Sequence, residues 1–84
     1  MYKIFWTEIA IKGLNRLSPE IAVRIKHKVE DYLSTDPISL GKPLTGIYKG
    51  LYRYRFGDYR IVYEVQKEKV IVIITQIGHR SNVY

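Results

Sequence analysis

Two alternating segments set about a two-residue turn constrain this chain more than anything else in it. Leu51-Tyr52-Arg53-Tyr54-Arg55-Phe56 and Tyr59-Arg60-Ile61-Val62-Tyr63-Glu64-Val65 flank Gly57-Asp58. Period-two alternation sends successive side chains to opposite faces of a strand. Glycine at the first central position of a two-residue loop is the type II′ signature, so the segment reads as a β-hairpin. The turn then sets the register: Phe56 faces Tyr59, Arg55 faces Arg60, and Arg53 faces Val62. One face carries Arg53, Arg55 and Arg60. The other carries Tyr52, Tyr54, Phe56, Tyr59, Ile61 and Tyr63, and needs cover that an isolated hairpin lacks.

The rest of the chain supplies that cover. Tyr2 to Trp6 reads as a short strand of aromatic and β-branched residues. Thr7 suits the N-cap of a helix starting at Glu8, with Ala10, Leu14 and Leu17 on one face. Gly13 within it costs about 1 kcal/mol against alanine, so this helix relies on packing. Ser18-Pro19-Glu20 starts a second helix, with Ile21, Ile25, Val29 and Leu33 as its apolar stripe and Ser34-Thr35-Asp36-Pro37 as its stop. Ile38 to Lys49 reads as loop, punctuated by Gly41, Pro43 and Gly46. Gln66-Lys67-Glu68-Lys69 makes a second turn, and Val70 to Ile77 is apolar enough for a central strand. The expected fold is therefore α+β in the order β-α-α-β-β-β. Two N-terminal helices pack on one face of a small, mainly antiparallel four-stranded sheet, as a single domain spanning 1–84. With Val65 facing Val70, Arg60 is expected opposite Thr75.

Bulk properties narrow the functional classes. The 84 residues include no cysteine, which excludes disulfides and thiolate metal sites and fits a cytoplasmic location. The longest apolar run, Val70 to Ile74, is far too short to cross a bilayer, so no membrane role is expected. A net charge of +6 points to an acidic partner, nucleic acid or protein. No glycine-rich phosphate loop, metal-ligand spacing or Ser-His-Asp arrangement is present, and no cofactor is implied.

The hairpin arginines stand out within that charge. Like charges opposite one another across a hairpin are destabilising. Arg55 against Arg60 therefore calls for a bound anion, and guanidinium groups grip phosphate bidentately. The chain leaves its last strand through Gly78-His79-Arg80, expected beside the Gly57-Asp58 end, so His79, Arg80 and the terminal Tyr84 are placed within reach of the same region. Blander readings stand beside this one. Arginines are ordinary on a solvated sheet face, His79 alone reads more simply as a surface histidine, and the tyrosines read as core. Lys42 and Lys49 read as loop residues, with contact to a nucleic-acid backbone as the functional alternative.

Several segments together resemble the RelE/ParE toxin superfamily. They are Pro43-Leu44-Thr45-Gly46, Gly50-Leu51-Tyr52-Arg53-Tyr54-Arg55, Gly57-Asp58-Tyr59-Arg60-Ile61-Val62-Tyr63, Ile77-Gly78-His79-Arg80 and Val83-Tyr84. The resemblance covers the whole chain. For RelE-type members it implies a ribosome-dependent endoribonuclease that cleaves messenger RNA in the A site without a metal. The catalytic set carried over by position is Arg53, Arg55, Arg60, Arg80 and Tyr84, with His79, Lys49 and Lys42 as further RNA contacts. Attack of the RNA 2′-hydroxyl on the adjacent phosphate would leave a 2′,3′-cyclic phosphate and a 5′-hydroxyl.

Some relatives carry lysine where this chain has Arg53 and Arg55. Arginine, with a pKa above about 12, is a poor proton shuttle, which shifts that role toward Tyr84 or His79. The resemblance also implies partners: an acidic, partly disordered antitoxin, the ribosome and messenger RNA, with DNA engaged only through the antitoxin. Two alternatives share the fold. One is a ParE-like gyrase inhibitor without nuclease activity; the other is an inactive toxin serving only in a repressor complex.

Overall fold

The computed structural model describes residues 1–79. Five strands form one mixed sheet in the order β1-β5-β4-β3-β2. They are β1 (Lys3–Trp6), β2 (Lys42–Pro43), β3 (Leu51–Phe56), β4 (Tyr59–Gln66) and β5 (Ile71–His79). β1 runs parallel to β5, and the other neighbours are antiparallel. Helices α1 (Glu8–Asn15) and α2 (Pro19–His27) cover one face, and a short α3 (Pro37–Leu40) leads into β2. The α+β architecture expected from the sequence is present, with one strand more than the four anticipated. No helix among the described residues is long and apolar enough to cross a membrane.

The expected caps start both main helices. Thr7 Oγ1 accepts from the Ala10 N–H at 3.1 Å, and Ser18 Oγ accepts from Ile21 N–H at 3.3 Å. The Thr7 hydroxyl also donates to the Ile74 carbonyl at 2.8 Å, so one side chain both caps α1 and ties it to the central strand. α2 continues as a π turn over Lys28–Tyr32 and a 3₁₀ turn over Leu33–Thr35. Its stripe residues Ile25, Val29 and Leu33 are buried against Ile61, Tyr63, Val72, Ile74 and Ile77, with Ala10 from α1.

Two findings depart from the sequence reading. The first lies between Pro37 and Lys49, where α3 and β2 take up part of the segment read as loop from Ile38 to Lys49. The hydroxyl of buried Tyr63 donates to the Pro37 carbonyl at 2.6 Å. Gly41 lies so close over that hydroxyl that a Cβ there would overlap it. Pinned at both points, the chain is laid along β3, where Lys42 pairs with Arg53 and Pro43 with Tyr52. Proline fits there because an edge strand leaves one side of its backbone unpaired.

The second departure is the β4–β5 register. Gln66 faces Ile71 across a turn closed by Val70 N–H to the Lys67 carbonyl at 3.2 Å, so Val65 faces Val72 and not Val70. Val70 takes φ 56°, a left-handed conformation that β-branched residues rarely adopt. Further along, Val62 faces Gln76 while Tyr63 faces Ile74, which leaves Thr75 as a bulged extra residue. Its hydroxyl donates to the Val62 carbonyl at 3.0 Å. Turn and bulge together move the residue opposite Arg60 from the expected Thr75 to Gly78.

Candidate functional site

The hairpin turn sets the site. Gly57 takes φ 59° and Asp58 stays out of the positive-φ region, as a type II′ turn requires. The register is the one anticipated: Phe56 with Tyr59, Arg55 with Arg60, Arg53 with Val62. In a two-residue hairpin the closing pair exchanges both hydrogen bonds, so Arg55 and Arg60 form the next, non-hydrogen-bonded pair. Their Cα atoms then stand roughly 4.5 Å apart, the closer of the two spacings in an antiparallel ladder. The two cations are held side by side by the backbone itself.

β2 adds a fourth cation to this face. Lys42, read from the sequence as a loop residue, is the register partner of Arg53, and paired residues project from the same face. A hollow of about 280 Å³ lies there, lined by Leu40, Gly41, Lys42, Arg53, Tyr54 and Arg55. Arg60 sits deeper, half-buried between Arg55 and Gly78, with its Nε shielded from solvent, whereas Arg55 is exposed. Buried Val62 and its partner Gln76 complete the row behind Arg53. Glu64 lies further off, opposite Leu51, and its carboxylate accepts from the Gln66 amide at 2.9 Å.

The other candidates divide. His79 ends β5 opposite Tyr59, at the same end of the sheet as Arg55 and Arg60 but on the helix face. Its ring meets Tyr59 edge-on at 5.8 Å, so it does not share the arginine surface as expected. Lys49 lies in the turn that precedes β3, at the end of the strand away from Gly57-Asp58. It is exposed and stands apart from the cluster. Arg80 and Tyr84 lie outside the described residues. Among the described residues no three His, Asp or Glu side chains gather as a metal site would require.

The tyrosines of the hairpin's aromatic face, Tyr52, Tyr54, Tyr59 and Tyr63, belong to or pack against the core. Tyr63 is fully buried and stacks on Tyr52 at 5.7 Å. Burial, with the neighbouring Tyr52, Tyr54 and Asp36, pushes its phenol well above the ordinary value of 10. What remains is a face of Lys42, Arg53, Arg55 and Arg60 built on rigid strands. Such a face can neutralise two or more negative oxygens without rearranging. The sequence signal for Lys42 was the proline beside it, which marks an edge strand as readily as a loop.

Known proteins give a concordant picture. Residues 4–84 match the family described as ParE toxin of type II toxin–antitoxin system, parDE. Toxin RelE of Mycobacterium tuberculosis is 37% identical over 83 residues, covering 99% of this chain and 86% of the relative. The mRNA interferase toxin RelE of Escherichia coli is 33% identical over 88 residues, covering 99% of this chain and 90% of the relative. Among solved structures, a chain of the RelBE2 toxin–antitoxin complex of M. tuberculosis superposes with a TM-score of 0.90 at 32% identity, covering 94% of this chain and 98% of that one.

Proposed function

From the premise that this chain belongs to the ParE toxin family of type II toxin–antitoxin systems, within the RelE/ParE superfamily, we propose that it is the toxin of its pair and a metal-independent endoribonuclease, cutting messenger RNA in the ribosomal A site. The observation that carries this reading is the opposition of Arg55 and Arg60 in one register pair, with Arg53 and Lys42 on the same face. Proteins do not place guanidinium groups against each other for stability; the arrangement suits a polyanion. A relative covering nearly this whole chain is an mRNA interferase.

The chemistry follows from the residue types. The 2′-oxygen of a bound nucleotide forms a bond to the adjacent phosphorus, and the bond from phosphorus to the 5′-oxygen breaks. The proton leaving the 2′-hydroxyl balances the one taken up by the 5′-oxygen. Arg60, half-buried and already in place, and Arg55 beside it neutralise the non-bridging oxygens as charge develops on them. Arg53 and Lys42 hold the backbone one row further along. The three arginines are poorly suited to carry protons. Tyr84, following Arg80 beyond the end of β5, takes the role of orienting or deprotonating the 2′-hydroxyl. His79, on the other face, is the weaker candidate.

Primer extension on translated messenger RNA after induction tests the reading: cuts inside codons are expected. The ParE name of the matching family keeps a second reading in play, the ParE-like gyrase inhibitor that the sequence resemblance also allows. Purified gyrase blocked in a supercoiling assay, with no messenger RNA cuts, would replace the nuclease by that reading. Silence in both assays points to a repressor subunit. On any of the three, the partner is an acidic antitoxin whose disordered segment folds on binding and neutralises part of the +6 charge.

A further inference from the structure

We propose that Gln76 is a specificity-determining residue whose side-chain amide reads the edge of an RNA base, adenine by preference. This rests on the reading that the cationic face binds RNA, but not on its cutting RNA.

The backbone supplies the first argument. From Ile71 to Ile77, β5 is built of β-branched residues except at Gln76. With Tyr63 opposite Ile74, an unbroken ladder would set Thr75 opposite Val62 and Gln76 opposite Ile61. Ile61 belongs to the core, so that register would turn the Gln76 amide inward beneath the helices. The Thr75 bulge reverses this. Val62 faces Gln76 and Arg60 faces Gly78, which brings Gln76 to the open face and sends Ile77 to the core. Bulges commonly re-aim a side chain at a site. This one is held on both sides: the Thr75 hydroxyl donates to the Val62 carbonyl, and the Thr75 carbonyl accepts from Thr7 Oγ1 at 3.3 Å.

The surroundings supply the second. Gln76 shares a row with buried Val62 and with Arg53. It lies diagonally across from Arg60, roughly 7–8 Å away at the spacing of such neighbours. Gly78, directly opposite Arg60, adds no side chain to the face. β1 ends at Trp6, opposite Ile74, so among the described residues no strand flanks Gln76 on its outer side. A nucleotide whose phosphate sits on Arg55 and Arg60 thus has this amide within reach of its base. The third argument is the group itself. Gln66, the other amide on this face, donates to Glu64 at 2.9 Å, whereas Gln76 makes no side-chain hydrogen bond among the described residues. The cations around it only donate; an amide donates and accepts side by side. Adenine sets an acceptor beside a donor on both of its open edges, N1 or N7 next to N6, and an amide matches either bidentately. Each of the other three bases offers one such edge.

The probes are short 2′-fluoro oligomers of adenine, cytosine or uracil, which cannot be cleaved through a 2′-hydroxyl. Their binding to the full chain is read by fluorescence anisotropy. The quantity compared is the ratio of the uracil to the adenine dissociation constant, because stacking within the free oligomers is common to every protein variant. Gln76→Leu should lower that ratio about fivefold or more, for the loss of one bidentate amide–base pair. Its slope of log K against log salt should match the parent's, since no phosphate contact is lost. Gln76→Glu keeps the shape but only accepts, so adenine should lose ground to cytosine, whose N4 amino group donates. Circular dichroism checks that both variants fold. A ratio that does not fall in Gln76→Leu would overturn the proposal, as would a shallower salt slope, which would make Gln76 a backbone contact. Failure of every oligomer to bind removes the RNA reading and this assignment together. A base preference that depends on Gln76, in a chain that cuts no translated messenger RNA, sinks the nuclease reading alone; cuts inside codons without that dependence sink only the role of Gln76.

Discussion

Arg55 is a residue whose removal should help the fold and harm the function. It stands in register with Arg60 at the close spacing of the ladder, where like charges are unfavourable by roughly 0.2–1 kcal/mol. Arg55→Thr keeps strand propensity and removes the repulsion. In phosphate-free buffer at low salt, urea unfolding should show a higher midpoint, equivalent to a stability gain of that size, while RNA cleavage slows about tenfold or more, as for loss of one preorganised cation. A lowered midpoint would mean the pair is not held against its own repulsion. Tyr63 makes the opposite case, a polar group wholly spent on structure. Its phenol is pushed up from 10 chiefly by burial. The folded state therefore holds that proton more tightly than the unfolded state, and the stabilisation, complete below pH 10, is lost as pH rises above it. Tyr63→Phe should lower the melting temperature at pH 7, through the lost bond to Pro37, worth about 1 kcal/mol. It should also flatten the fall that the parent protein shows between pH 10 and 11. An equally steep fall in both proteins would assign alkaline unfolding to other groups.

At the level of elements, helix α1 shows how local propensity and packing pull apart. Propensity alone predicts that Gly13→Ala stabilises by about 1 kcal/mol. A Cβ at Gly13, however, would overlap the Ile77 carbonyl oxygen of β5, a backbone atom that cannot rotate away. The substitution should instead destabilise by roughly 1–3 kcal/mol, as overpacked cores do, and thermal melts of the two proteins give the sign directly. The same split marks what was legible in the sequence. The hairpin register, the Thr7 and Ser18 caps and the Ile25-Val29-Leu33 stripe could all be read because each is set within a few residues. The β4–β5 register could not. It depends on Val70 entering a conformation its side chain disfavours and on Thr75 bulging, and neither leaves a mark in the pattern of apolar residues. β2 was hidden for a related reason: two residues carry no periodicity, and what lays them on β3 is a hydrogen bond from Tyr63, a residue twenty positions downstream of Pro43. The cationic face was therefore visible in its hairpin half and invisible in its Lys42 half.

Across the whole molecule, the question is whether +6 acts as a diffuse attraction or as a site. The net charge alone predicts that any surface lysine contributes equally to RNA binding. The sheet predicts otherwise, because Lys42 stands beside Arg53 while Lys49 lies at the far end of β3. Each phosphate neutralised on a single strand contributes about −0.7 to the slope of log K against log salt. If Lys42, Arg53, Arg55 and Arg60 each engage one phosphate, the slope for a short single-stranded RNA should be about −3 at four contacts. Lys42→Ala should make it shallower by about 0.7, with affinity reduced similarly for unrelated sequences, as for a phosphate contact. Lys49→Ala should leave the slope where it is. Filter binding or anisotropy across a range of salt concentrations measures all three proteins. Equal losses in the two lysine variants would show that charge acts through its sum. A loss confined to Lys42 would tie RNA binding to the two-residue strand that lays this lysine beside the arginines.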